Sequence, residues 1–222
     1  MAIAPRNDAY IRAVIFDLDE ALLVRAPAWR YALEEAVLAT TGVRIDAGPL
    51  AEEYRGRPFE HAIALVAPAD VREECAELCR EFYGRSAMKR LLIHEGLGMA
   101  LDVLRGLRVE VGAISREPHA LARKQIESTG LDRFVAALSC TPAGGRWQPS
   151  QRVNDCLTFF EQPPERCLFI SRDMHDLREA AALGLNAYEA GWATGDGTGY
   201  PRIAAPAELE SIVMRASART RG

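Results

Sequence analysis

A chain of 222 residues, 49% hydrophobic and 26% charged, is long enough to bury one α/β core with residues left over for a small second module. A net charge of −4 and a pI near 5.7, without any cluster of Lys and Arg, exclude a nucleic-acid or anionic-membrane surface as the organising feature. The first residues carry no apolar signal core and no run approaches the roughly 18 apolar residues of a membrane span, so a cytoplasmic protein is expected.

In chain order, the first element is the apolar run Ala13, Val14, Ile15 and Phe16, which ends abruptly at Asp17 and Asp19. Such a run reads as a buried strand, and in an open α/β sheet the loop leaving its carboxyl end is where ligands sit. One residue separates the two carboxylates. They therefore share a side if strand geometry persists, as a cation site or as a nucleophile with an acid/base partner.

From residue 23 to about residue 92 the pattern is helical, with no strand signal. Trp29, Leu33, Ala36, Val37 and Thr40 form one stripe closed by Gly42, and further helices are predicted at 49–55, 58–66 and 70–83. Tyr31, Phe59, Leu65, Leu78 and Phe82 are expected to form this insert's own small core. Arg55, Gly56, Arg57 and Pro58 make a rigid basic turn that either contacts an anionic substrate or joins two helices.

The remainder is regular α/β. Helix 97–105 precedes strand 109–115, which ends at Ser115; helix 118–129 closes at Gly130, and strand 134–138 leads into the loop 140–150. Helix 151–160, strand 167–170, helix 173–183 stopped by Gly184, strand 186–189, a Gly-rich loop and helix 207–216 follow. Strands alternating with helices predict an α/β, doubly wound parallel sheet. The expected division is a core of residues 1–23 and 92–222 with an all-helical cap, 24–91, inserted after the first strand. The five scattered cysteines read as free thiols of a reducing compartment. His61, His94, His119 and His175 are dispersed and read as structural or solvated.

The DxD after the first strand, the helical insert, the strand ending in Ser115 and the late strand followed by Asp176 resemble the haloacid dehalogenase-like (HAD) hydrolase superfamily. The phosphoglycolate phosphatase-like branch with a helical cap is the nearest in pattern. The most specific parts are Val14, Ile15, Phe16, Asp17, Leu18 and Asp19, and the tract 165–184. The resemblance implies a Rossmann-like core, Asp17 as nucleophile, Asp19 as acid/base, Ser115 as a phosphoryl ligand, and Mg²⁺ held by Asp17, Asp19 and an Asp of the late motif if the protein is active. It also implies that the cap lies over the carboxyl ends of the strands, where Arg57 and Ser115 would contact an anionic substrate.

Four positions depart from that pattern. Alignment of Pro149 puts Gln148 where the family has its lysine, and neither Lys89 nor Lys124, the chain's two lysines, is near; Arg146 is a poor substitute for a compact ammonium. Arg172 stands where the family has a metal-binding Asp, leaving Asp176 as the retained acid and Asp173 one place late. Glu20 and Ala21 replace the usual Gly and Thr, adding negative charge beside the phosphate pocket. Phosphoryl transfer is positioning plus charge neutralisation, so these losses favour a non-catalytic binding or regulatory protein over an active Mg²⁺-dependent phosphate-monoester hydrolase. Haloacid dehalogenation is disfavoured by Asp19. The expected partner is a small phosphorylated or anionic ligand or another protein, with no nucleic acid or membrane, and no cofactor if the site is inactive. Arg172 is expected to fill the cation position and pair with Asp17 or Asp19.

Overall fold

The computed structural model describes residues 11–54, 58–193 and 197–218. Its first strand, β1 (Ala13–Asp17), lies in the middle of a six-stranded sheet and is buried along its whole length. Parity explains the unbroken apolar run. Val14 and Phe16 enter one core, Ala13 and Ile15 the other, because both faces of a doubly wound sheet are covered.

The other strands are β4 (Glu110–Ser115), β5 (Val135–Cys140), β6 (Cys167–Ser171), β7 (Asn186–Ala190) and β8 (Arg202–Ile203), all parallel, in the order β5-β4-β1-β6-β7-β8. The predicted strands are present with their ends shifted by one or two residues, and the edge strand β8 is additional. Leu97–Gly106 (α5), His119–Thr129 (α6) and Leu209–Ala218 (α9) cover the Val14–Phe16 face. Pro149–Phe160 (α7) and Met174–Ala182 (α8) cover the other. The strand order reverses at β1, which is flanked by β4 and β6, so the crevice of the switch point opens directly above Asp17.

Between the first two core strands lie Ala26–Thr41 (α1), Gly48–Glu53 (α2), Phe59–Val66 (α3) and Arg72–Gly84 (α4), packed round Leu33, Val37, Ile63, Cys75 and Cys79. Gly42 ends α1 with φ 73°, as the stripe predicts. The expectation of no strand here fails at the two ends of the insert. Leu23–Val24 (β2) and Leu92–Ile93 (β3) pair antiparallel and tie the entering and leaving chains together. Two-residue strands carry no periodicity to read. Leu65 is 61% exposed rather than part of the insert's core, whereas Phe59, Leu78 and Phe82 pack against that core as expected and Phe59 also lines the cleft. Arg55, Gly56 and Arg57 lie outside the described residues. All five cysteines are free and buried, and among the described residues no helix is long and apolar enough to cross a membrane.

Gly112 on β4 shows how closely α7 approaches the sheet: a Cβ there would lie 2.9 Å from the Phe160 ring and 3.5 Å from Cys156 Sγ. Gly112→Ala is expected to cost about 1–3 kcal/mol by overpacking, read as a lowered urea midpoint with unchanged slope. Trimming the ring in Gly112→Ala/Phe160→Leu should recover part of it relative to the sum of the single changes.

Candidate functional site

The three central strands end together. Asp17 closes β1, Ser115 closes β4 and Ser171 closes β6, and the register places both serines one step beyond the last residues paired with β1. Asp17, Asp19, Ser115, Ser171 and Asp176 are each 2% exposed or less. After Asp17 the chain makes one π-helical turn, Leu18–Leu22, which brings Asp19 back over the strand end. Asp17 Oδ1 caps that turn by accepting the Asp19 amide at 2.9 Å, and Oδ2 accepts the Ser171 hydroxyl at 3.0 Å. Asp19 accepts the Ser115 hydroxyl at 3.0 Å and the Arg116 amide at 2.8 Å.

Two arginines supply positive charge, and neither is the one expected. Arg116 follows Ser115; its Nη2 lies 2.8 Å from Asp176 Oδ2 and 3.0 Å from Asp173 Oδ2. Its guanidinium stacks 4.7 Å from the Trp147 ring centroid, and the Trp147 indole donates to the second oxygen of Asp176 at 2.9 Å. Arg25, at the start of α1, reaches Asp19 at 3.5 Å and Glu20 and Glu117 at 3.3 Å each. Arg172 instead turns to β7, where it pairs with Glu189 at 3.4 Å. The expectation that Arg172 compensates Asp17 or Asp19 is therefore corrected: β6 carries Ser171 inward to Asp17, and the next side chain along the chain is directed to the neighbouring strand.

Of the other expected residues, Gln148 and Arg146 are exposed, and it is the adjacent Trp147 that enters the site. Asp173 does not point elsewhere: Oδ1 caps α8 by accepting the His175 and Asp176 amides, and Oδ2 faces Arg116. Glu20 lies beside the cleft with its carboxylate on Arg25. Arg57 is outside the described residues. Sequence reasoning missed Arg116, Trp147, Ser171 and Arg25. For Arg116 a signal was available in its position directly after Ser115, where the strand end aims the chain into the crevice.

The electrostatics are those of a carboxylate cluster short of cations. Burial, then Asp19, Asp176 and Glu20, push the Asp17 carboxyl well above its ordinary range, against the opposing pull of Arg116. Burial raises Asp176 to about 6, even with Arg116 and the Trp147 hydrogen bond opposing the shift. Magnesium requires oxygen donors in near-octahedral array, whereas the Asp176 and Asp173 oxygens that face the crevice here already hold a guanidinium. Among the described residues no group of three or more His, Cys, Asp or Glu side chains is arranged to hold a metal ion. The donors as they stand do not fit Mg²⁺.

Above the cluster the insert closes a cleft of about 500 Å³ over the strand ends, walled by Trp29, Phe59 and Tyr83 of the insert and by Glu117, Pro118 and Leu121 of the core. The insert therefore lies over Asp19, on the side that the sequence predicts. Tyr83 of α4 accepts from Gln125 of α6 at 3.1 Å, a hydrogen bond across the seam.

Comparison with known proteins supports the fold. The chain matches a putative β-phosphoglucomutase from Thermotoga maritima with TM-score 0.76 at 17% identity, covering 92% of this chain and 99% of that one. A putative phosphatase from Clostridium difficile matches with TM-score 0.79 at 15% identity, over 92% and 99% of the two chains. A HAD family hydrolase from Deinococcus radiodurans, solved with phosphate and sodium, matches with TM-score 0.71 at 23% identity, over 94% and 97%. The fold is thus that of the HAD-like hydrolases and phosphatases. Among curated proteins, the tyrosine-protein kinase PtkA of Mycobacterium tuberculosis is 26% identical over 189 residues, 82% of this chain. The chain spans 62% of the length of the curated relatives it matches. No family model matches.

Two expectations follow. Removing the guanidinium in Arg116→Gln leaves Asp176 buried without its partner; breaking such a pair costs about 3–5 kcal/mol when fully buried and about 1–3 here, because Arg116 is 35% exposed. Chemical denaturation reads the loss. Asp17 and Asp176 also hold protons more tightly folded than unfolded; for Asp176 the stability this contributes is present below the unfolded value of 3.8 and declines as pH rises through about 6. Relative to the wild type, Asp176→Asn should gain stability between pH 4 and 6. Parallel stability curves for the two proteins would refute this.

Proposed function

We propose that this protein is a non-catalytic, phosphatase-like binding protein that uses the cleft between insert and sheet. The observation that carries the reading is the placement of Arg116. An internal guanidinium neutralises Asp176 and Asp173, where a HAD-type phosphatase needs a metal and a free cation to receive the phosphoryl group. Burial and three neighbouring acids favour the protonated form of Asp17, so attack through it would need a cation beyond Arg116 to hold it ionised. Gln148, at the lysine position, is exposed and cannot compensate.

A second reading, phosphoryl transfer through Asp17, is favoured by two features: Asp17 and Asp19 keep the spacing of a nucleophile and its acid/base partner at one strand end, and the curated relatives are named tyrosine-protein kinases. On that reading Asp17 accepts the phosphoryl group and Asp19 delivers or removes the proton.

Incubation with p-nitrophenyl phosphate and, separately, with ATP and a tyrosine peptide, each with Mg²⁺, separates the two. The non-catalytic reading expects no turnover above that of Asp17→Asn, and a melting temperature that does not climb with millimolar Mg²⁺. Hydrolysis or peptide phosphorylation that Asp17→Asn abolishes would establish the second reading instead.

A further inference from the structure

The walls of the cleft are unlike those of a receptor for a small phosphate ester. Trp29 of α1 and Phe59 of α3 stack face to face, centroids 5.1 Å apart and planes within 8°, and Phe59 meets Tyr83 edge-on at 5.9 Å. With Leu121 and Pro118 of the core, these rings give the cleft a largely apolar, aromatic-rich lining. A volume of about 500 Å³ lies within the range of small-molecule sites.

The charges decide what kind of ligand fits. Among the described residues lining the cleft, the acids are Asp19, Glu20, Glu60 and Glu117, the arginines are Arg25, Arg80 and Arg116, and His94 is the remaining basic side chain. Each arginine already carries an ion pair, Arg25 with three acids and Arg116 with Asp173 and Asp176 beyond the lining. An entering phosphate or carboxylate would therefore add negative charge where, among the described residues, carboxylates outnumber guanidiniums. An amidinium or ammonium meets carboxylates instead, and Glu117, which is 29% exposed and shares Arg25 with two other acids, is the lining acid on the core side whose charge is least fully matched.

We infer that the cleft receives a planar aromatic ligand bearing a cationic group, its ring against the Trp29–Phe59 wall and its charge at Glu117. This rests on the non-catalytic reading of the same site and replaces a phosphorylated or anionic ligand with the opposite charge class. A cation carried on an aromatic ring also suits a cleft lined by Trp29, Phe59 and Tyr83.

The test uses three one-ring probes, benzamidine, benzoate and phenyl phosphate, titrated into the full chain with Mg²⁺ present and followed by ligand-observed NMR and calorimetry. Benzamidine should bind about tenfold or more tightly than either anion, the step that one favourable against one unfavourable charge contact sets in a solvent-reached cleft. Phe59→Leu, which keeps apolar volume but removes the ring face, and Glu117→Gln, which removes the charge, should each weaken benzamidine. Phe159→Leu, at an exposed position on α7, should not. Preference for an anion, failure of all three probes to bind, or indifference to both cleft variants overturns the inference. Release of phenol from phenyl phosphate would overturn the non-catalytic reading, whereas anion preference without release overturns only this one.

Discussion

Burying several carboxylates at the end of a sheet is the constraint on which the rest of this structure depends. Strand topology brings Asp17, Asp19 and Asp176 to one crevice with almost no solvent, and such groups stay ionised only if protein dipoles and cations replace the lost water. The chain meets this demand in three ways at once. Serine hydroxyls and backbone amides donate to Asp17 and Asp19, and Arg25 approaches Asp19 from the insert. Arg116, braced on Trp147, bridges Asp176 and Asp173. The compensation is incomplete, because Asp17 and Asp176 still favour their protons.

This arrangement links the core to the insert. Arg25 stands where β2 passes into α1, so the ion pairs that neutralise Asp19 and Glu20 also hold the first cap helix against the strand ends. The opposite end of the seam is held by Tyr83 and Gln125, and the β2–β3 pair fixes both connections within two residues. The lid is therefore restrained at its chain crossings and at one buried hydrogen bond, with the aromatic cleft between. A further buried acid, Glu189 on β7, is handled separately by Arg172, Arg202 and the Thr198 amide and hydroxyl. Arg172 is directed there rather than to the central cluster.

The fold was largely legible because its signals are cooperative. A both-faces-buried strand writes an unbroken apolar run such as Ala13 to Phe16, and the helices between strands end at glycines with positive φ, Gly42 and Gly130 among them. The ends of the insert were not legible, because β2 and β3 owe their existence to each other across the length of the cap rather than to a local pattern. At the site, Asp17, Asp19 and Ser115 were readable as strand-end polar residues, whereas the counterions were not. An arginine side chain spans several ångströms on flexible torsions, so its partner depends on which strand lies beside it. Arg172 and Arg116 occupy equivalent places, each directly after a strand-end serine, yet one turns to β7 and the other to α8.

That equivalence bears on what the retained motif residues mean. Ser115 Oγ donates to Asp19 and accepts the Glu117 amide, and Ser171 Oγ donates to Asp17 and accepts the Asp173 amide. Each serine thus builds a local turn that closes a strand while satisfying a buried carboxylate, and Asp17 itself caps the π-helical turn that follows it. These bonds stabilise the crevice whether or not a phosphoryl group ever enters it. Keeping Asp17, Asp19 and both serines therefore requires no catalysis, only the need to terminate three adjacent parallel strands without orphaned polar groups. The residues with no such double duty are those that would receive a metal or a phosphate, and at these positions the chain has Glu20, an exposed Gln148 and an Arg172 paired elsewhere. Departures at these positions, with the strand-end turns intact, are what the proposed non-catalytic reading expects of a fold kept for its cleft.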